Sequence, residues 1–297
     1  MPRHRPKHLK HYALRRGIKF ALLAVLALAL IYPLAEPYFL RVESTAIVDE
    51  TFPRDVRRLR VAYVTDLHVS GFPFYTKGRA DGLLRQINAL NPDLVLFGGD
   101  FTESAEETLR FFEQLRDRQL TQLHPTYGAY AVLGEHDRTG ENVSLPELRT
   151  VMISAGVTPL INEVAAVRVG NSTIYLAGLD DVTAGKPDLS AVAGQLRRDD
   201  YVLFLCHSPE IIPQAMSATG SDGRTGWYDI GLFGHTHGGQ VALGSLHIAD
   251  GIESRYQYGW VTESRVRMLI SGGIGTSVLP IRFLRTPTVH LLTLLSQ

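Results

Sequence analysis

One cysteine, Cys206, stands among 297 residues, so no disulfide can close within the chain. No acidic residue occurs among the first nineteen, which hold seven Lys or Arg, and no charge of either sign occurs in residues 20–35, FALLAVLALALIYPLA. The formal balance of 30 basic against 30 acidic residues therefore conceals an uneven distribution, because beyond residue 19 the chain keeps 23 basic and 30 acidic residues, a net of −7. A globular part charged in this way lacks the dense positive field on which general nucleic-acid binding depends, and nucleic acid is not an expected partner. Apolar mass is not lacking. At 45% apolar residues the chain can build one large core, and disorder is not expected away from its ends.

The uncharged run predicts one transmembrane anchor over residues 20–40. Sixteen residues fall short of the roughly 20 that span a bilayer, but Lys19 can snorkel and the segment extends past the isolated Glu36 toward Leu40. A cleavable signal peptide is the rival reading, with a weak cleavage position near Ala35, beside Pro33 and Pro37. The pair Arg15 and Arg16 resembles a twin-arginine export signal, although the hydrophobic positions after it match poorly. By the positive-inside rule residues 1–19 are a basic cytoplasmic head, and everything after residue 41 faces the other side of the membrane. Residues 41–58 read as a linker and 59–297 as one folded domain.

From residue 59 onward, short apolar runs alternate with helix-like segments, a pattern that predicts an α/β fold. Strands are expected at 59–64, 93–97, 127–133, 164–169, 172–178, 201–206, 229–234, 267–271 and 288–294, with helices at 79–90 and 106–120. Each chemically loaded cluster follows a strand: Asp66 and His68, Asp100, Glu135 to Asp137, His207, then His235 and His237. In open α/β sheets such loops gather at one edge, so residues distant in sequence converge there. In YGAYAVLGEHDR (127–138) two carboxylates flank an imidazole at the end of a buried run, and unpaired charge there is costly. Histidines and carboxylates without thiolates suit Mn, Fe or Zn, so the missing positive charge is expected to be a metal pair able to clamp a phosphoryl group and acidify water.

The order Asp-x-His, Gly-Gly-Asp, Gly-x-His-Asp, His and Gly-His-Thr-His resembles the calcineurin-like metallophosphoesterase superfamily over residues 59–297. GHTHGGQ (234–240) and SGGIGTSVLPIRF (271–283) are similar to its membrane-anchored bacterial branch, which includes UDP-2,3-diacylglucosamine pyrophosphohydrolases. The resemblance implies a two-sheet α/β sandwich, behind one N-terminal membrane helix in the bacterial inner membrane, with a dinuclear site at the sheet edge. It implies that Asp66, His68 and His237 bind one metal, that Asp100 bridges, and that His207 and His235 bind the second. It makes His136 the catalytic imidazole and Asp137 the residue that orients it. Glu135 departs from the family's usual Asn, placing a carboxylate where a neutral amide oxygen would face the second metal.

For substrate, GFPFYTKGR (71–79) sets Phe72, Phe74 and Tyr75 beside Lys77 and Arg79, so that an acyl chain and a phosphate could be met together. Arg282 is a further expected phosphate contact by resemblance. The expected activity is metal-dependent hydrolysis of a phosphodiester or pyrophosphate bond, with a lipid-linked substrate among the candidates. A nucleotide-linked lipid precursor is cytoplasmic, which conflicts with the side that the charge rule assigns to the domain. Two other classes remain open on the sequence: a metal-binding envelope protein without turnover, and a lipid-binding module built on the aromatic loop.

Overall fold

The computed structural model describes residues 7–71, 73–241 and 252–297, with side chains from residue 15 onward. A 29-residue helix, Lys7–Ala35, comes first, so the basic head described here continues the apolar run without a break. At about 1.5 Å per residue it is long enough to cross a bilayer. Residues 15–38, the helix and the turn after it, are strongly apolar; the most apolar part of the stretch is bare of contacts with the rest of the chain, while Glu36 and Pro37 at its end are buried. One N-terminal helix is thus a candidate membrane span.

Two six-stranded sheets form the centre. The first runs, in spatial order, Arg41–Asp49, Thr288–Ser296, Leu59–Val64, Leu94–Phe97, Ala129–Ala131 and Val157–Pro159, parallel except where Thr288–Ser296 meets Leu59–Val64. The second runs Gly259–Glu263, Val266–Ile270, Ile230–Phe233, Tyr201–Leu205, Ser172–Gly178 and Glu163–Val169, with its four inner strands parallel. The segment expected as a linker departs from that reading: its first nine residues are the edge strand Arg41–Asp49, paired along its length with Thr288–Ser296. RVESTAIVD carries too many polar residues to announce a strand, and only the partner from the other end of the domain makes it one.

The fully buried inner strands read as short apolar runs because both of their faces are covered. Val61, Leu94 and Leu96 of the first sheet pack against Leu176, Leu203 and Leu232 of the second. Helices Lys77–Ala89, Ala105–Arg116 and Leu145–Ser154 cover the outer face of the first sheet through residues such as Leu83, Phe112 and Met152. Ile212, Trp227 and Tyr228 help cover the second. Each fully buried Leu or Phe contributes about 1.5–3 kcal/mol. The result is a four-layer sandwich whose parallel strands deliver their C-terminal ends to one edge.

Candidate metal centre

The loops that leave those strand ends turn sharply. Asp66, His68, Asp100, His235 and His237 all have positive φ, between 45° and 67°. For residues with a side chain this backbone costs roughly 1 kcal/mol or more each and persists only where surrounding structure enforces it, as at functional sites. Glycine opens the space: a Cβ on Gly134 would strike the Asp100 carboxylate, and one on Gly234 would strike that of Asp66.

Three overlapping groups result, each with ligand atoms within 4.8 Å of one another: Asp66, His68 and His237; Asp66, Asp100 and His207; and His68, Asp100 and His136. Asp100 Oδ2 lies 3.1 Å from His207 Nε2 and 3.6 Å from His68 Nε2, between the two halves of the cluster. His237 Nε2 is 3.2 Å from His68 Nε2 and 3.8 Å from Asp66 Oδ1. The far nitrogens are held in place. His68 Nδ1 meets Glu103 Oε1 at 3.0 Å and His207 Nδ1 meets the Gly98 carbonyl at 2.7 Å, which leaves both Nε2 atoms facing inward. Backbone amides fix the carboxylates, with His235 N–H donating to Asp66 Oδ1 and His136 N–H to Asp100 Oδ1.

Buried carboxylates and imidazoles crowded in this way perturb one another. Burial opposes charge on His207, yet Asp100 and Asp66 outweigh it and hold its pKa well above the usual imidazole value. His68 is raised in the same sense: burial opposes the charge, while Glu103 and Asp100 favour it. His237 goes the other way, lowered well below its ordinary value by burial and then by the charge of His68. Asp100 is driven down by His207 and His68 against the cost of burial. Three buried atoms of these side chains, Asp66 Oδ2, His207 Nε2 and His237 Nδ1, have no hydrogen-bond partner among the described residues. Inward-facing imidazole nitrogens, shared carboxylates and an orphaned carboxylate oxygen form a donor set that fits a divalent cation centre.

Glu135 and His235 sit at the rim, half-buried. Glu135 Oε1 is 3.8 Å from His136 Nε2 and 3.9 Å from His235 Nδ1, and the His235 ring stands edge-on to His207 at 5.3 Å. Neither belongs to the three compact groups.

The expected orienting role of Asp137 is corrected by its contacts. Its carboxylate accepts from the backbone N–H of Gly134, Asp100 and Phe101 and from the Thr108 hydroxyl, at 2.7 to 3.0 Å. It ties two ligand loops together, while burial and then the charge of Asp100 push its pKa up to about 6. The His136 ring instead points Nδ1 toward Glu103, 3.4 Å from its carbonyl and 3.7 Å from its carboxylate. Glu103, three residues beyond Asp100, was missed in the sequence. Its signal was there, as the last acid of Gly-Asp-x-x-Glu.

The expected phosphate contact at Arg282 is also corrected: the side chain is fully buried and its guanidinium donates to the carbonyls of Gly275 and Arg285. Of the aromatic loop, Phe72 lies outside the described residues, Phe74 is half-buried and Lys77 donates to Gln119. Arg79 is sandwiched between the rings of Tyr38 and Tyr75 and donates to the Pro37 carbonyl, binding the end of the apolar N-terminal helix to the domain.

Comparison with known proteins agrees with this geometry. The family model described as "Calcineurin-like phosphoesterase" matches residues 59–239. An uncharacterized metallophosphoesterase of Aquifex aeolicus is 28% identical over 277 residues, covering 89% of this chain and 95% of that protein. The Bacillus subtilis protein named "Uncharacterized metallophosphoesterase YkuE" is 25% identical over 265 residues, covering 88% and 87%. A bovine "Transmembrane protein with metallophosphoesterase domain" is 26% identical over 242 residues, covering 77% of this chain and 51% of that protein. With the family model spanning more than half of its length and ending in the loop of His235 and His237, this chain belongs to the calcineurin-like phosphoesterases, hydrolases of phosphoester bonds.

Proposed function

We propose that this enzyme uses a pair of divalent cations to hydrolyse a phosphodiester or pyrophosphate bond of a lipid or lipid-like substrate, of which UDP-2,3-diacylglucosamine is one example. The observation that carries the reading is Asp100, whose Oδ2 lies within 3.6 Å of imidazoles from both halves of the cluster. In this reading Asp66, His68 and His237 would hold one cation and His207 with His235 the second, with Asp100 shared between them and Glu135, standing where the family usually has Asn, as a further ligand of the second. Cations bound there, Mn, Fe or Zn by donor type, supply positive charge to the phosphoryl oxygens and acidify water.

The residues of the chain do the rest. His136, with Nδ1 turned to Glu103, presents Nε2 to the site and can hand its proton to the leaving oxygen, a role worth about 10²–10⁴ in rate. Asp137 keeps the Gly134 and Asp100 loops in register, so that the carboxylate and imidazole meet the same phosphate. The exposed apolar helix supports a substrate that shares the membrane with the enzyme.

The test is turnover by the full chain in detergent with Mn²⁺ on a phosphomonoester, a phosphodiester and a nucleotide-sugar pyrophosphate, beside metal analysis. Two cations per chain and hydrolysis of a diester or pyrophosphate are expected, with Asp100→Asn losing at least about 100-fold in kcat and part of its metal. Two bound cations with no turnover on any of the three would favour a metal-binding protein without catalysis, and unchanged turnover in Asp100→Asn would remove the bridging role.

A further inference from the structure

A cleft of about 400 Å³ opens beside the metal centre. Its inner wall is His235, Thr236 and His237, and its outer wall is Val278, Leu279 and Ile281. The outer residues belong to a loop with an unusual surface, since Val278 is 88% exposed and Leu279 and Leu284 are more than half exposed. Val278 and Leu284 also have positive φ, 60° and 56°. For a β-branched residue that backbone is a genuine outlier, here presenting an isopropyl group to the outside.

The same loop is fastened to the end of the apolar helix. Arg282 N–H donates to the Pro33 carbonyl at 2.9 Å, Phe283 meets the Tyr32 ring edge-on at 5.8 Å, and Leu284 N–H donates to the buried Glu36 carboxylate at 2.7 Å. Tyr38 and Phe39, at the exit of the helix, are themselves half exposed. A loop held against residues 32–36 of a membrane-spanning helix sits at the depth of those residues, at the boundary between hydrocarbon and headgroups. Bare Val, Leu and Phe side chains are favourable there and costly in water.

We infer that Val278, Leu279 and Leu284 seat the domain on the bilayer, and that the cleft running from them to His235 and His237 takes the aliphatic chain of a phosphoester drawn directly from the membrane. This rests on the phosphoesterase reading and adds the route by which substrate arrives. The chain enters past Val278 and Leu279 while its phosphate reaches the metal centre, so the lipid need not leave the bilayer for hydrolysis. The apolar outer wall selects for a long hydrocarbon tail over a short one.

The experiment uses the full chain in phosphatidylcholine vesicles with Mn²⁺. A Val278→Trp reporter is expected to be quenched by lipids brominated on their acyl chains beyond the quenching of the native tryptophans, whereas quenching equal to the unmodified protein overturns the seating. Two aryl phosphodiesters with the same leaving group, one carrying an ethyl and the other a hexadecyl chain, are then compared. The unmodified enzyme is expected to prefer the hexadecyl ester at least tenfold, and Leu279→Asp to lower that ratio at least tenfold. Equal rates on both esters, or a ratio that Leu279→Asp leaves alone, overturn the cleft assignment while the phosphoesterase reading stands. Hydrolysis of neither ester overturns the cleft assignment, and absence of turnover on the nucleotide-sugar pyrophosphate as well overturns the phosphoesterase reading with it.

Discussion

Glu103 faces two imidazoles at once, 3.0 Å from His68 Nδ1 and 3.7 Å from His136 Nδ1. A carboxylate in that place fixes which nitrogen of each ring points into the site and strengthens the ring as a ligand or an acid. Glu103→Gln keeps the size and removes the charge; it is expected to lower kcat about 10- to 100-fold with a smaller change in KM, and to weaken Mn²⁺ binding. Steady-state kinetics with a metal titration check this, and unchanged values would reduce Glu103 to a surface acid. Glu135 stands between His136 and His235, 3.8 Å and 3.9 Å from their ring nitrogens. Glu135→Asn removes a carboxylate from the rim of the donor set and is expected to weaken Mn²⁺ binding, read by metal titration. A metal affinity identical to that of the unmodified enzyme would exclude Glu135 from the site.

At the scale of elements, the decisive join lies between the N-terminal helix and the loop after the last glycine turn. Glu36 is completely buried and accepts from Leu284 N–H at 2.7 Å and from the Thr286 hydroxyl at 3.0 Å. From the sequence it read as an isolated acid interrupting a membrane segment. The structure makes it the fastening of that segment. Glu36→Ala leaves a buried N–H without its partner, a loss of about 1–3 kcal/mol. Each kcal/mol corresponds to roughly 2–4 °C in a domain of this size, so the expected result is a melting temperature several degrees lower, with a smaller loss for Glu36→Gln. A thermal melt of the detergent-solubilised chain reads it, and an unchanged transition would deny the join any share in stability.

Across the whole molecule, the strand that closes the first sheet carries a pH dependence. His290 in Thr288–Ser296 is buried, with Nε2 3.0 Å from the Ser271 hydroxyl and Nδ1 without a partner. Burial, and then the charge of Arg41, lower its pKa to about 4 from an ordinary 6.5. The fold therefore prefers neutral His290, and this contribution is complete above pH 6.5 and lost as pH falls toward 4, where the unfolded chain takes up the proton first. The shift corresponds to roughly 3 kcal/mol. The stability of the unmodified protein minus that of His290→Gln is expected to fall by about that amount between pH 6.5 and 4, measured by denaturant unfolding at fixed Mn²⁺. A constant difference would show that the imidazole is not held neutral.

The sequence by itself determined the α/β alternation, the apolar helix and the identity of the clustered acids and histidines. Those signals are local: a buried parallel strand is a short apolar run, and a ligand loop follows it within a few residues. Tertiary structure decided the rest, because pairing and side-chain direction depend on partners far along the chain. Only Thr288–Ser296 turns 41–49 from linker to strand. Only the convergence of loops shows Asp137 holding backbone amides where Glu103 takes the His136 ring. Only burial closes Arg282 around the carbonyl groups of Gly275 and Arg285. A carboxylate or a guanidinium has several possible partners in sequence, and the fold leaves each with those it can reach.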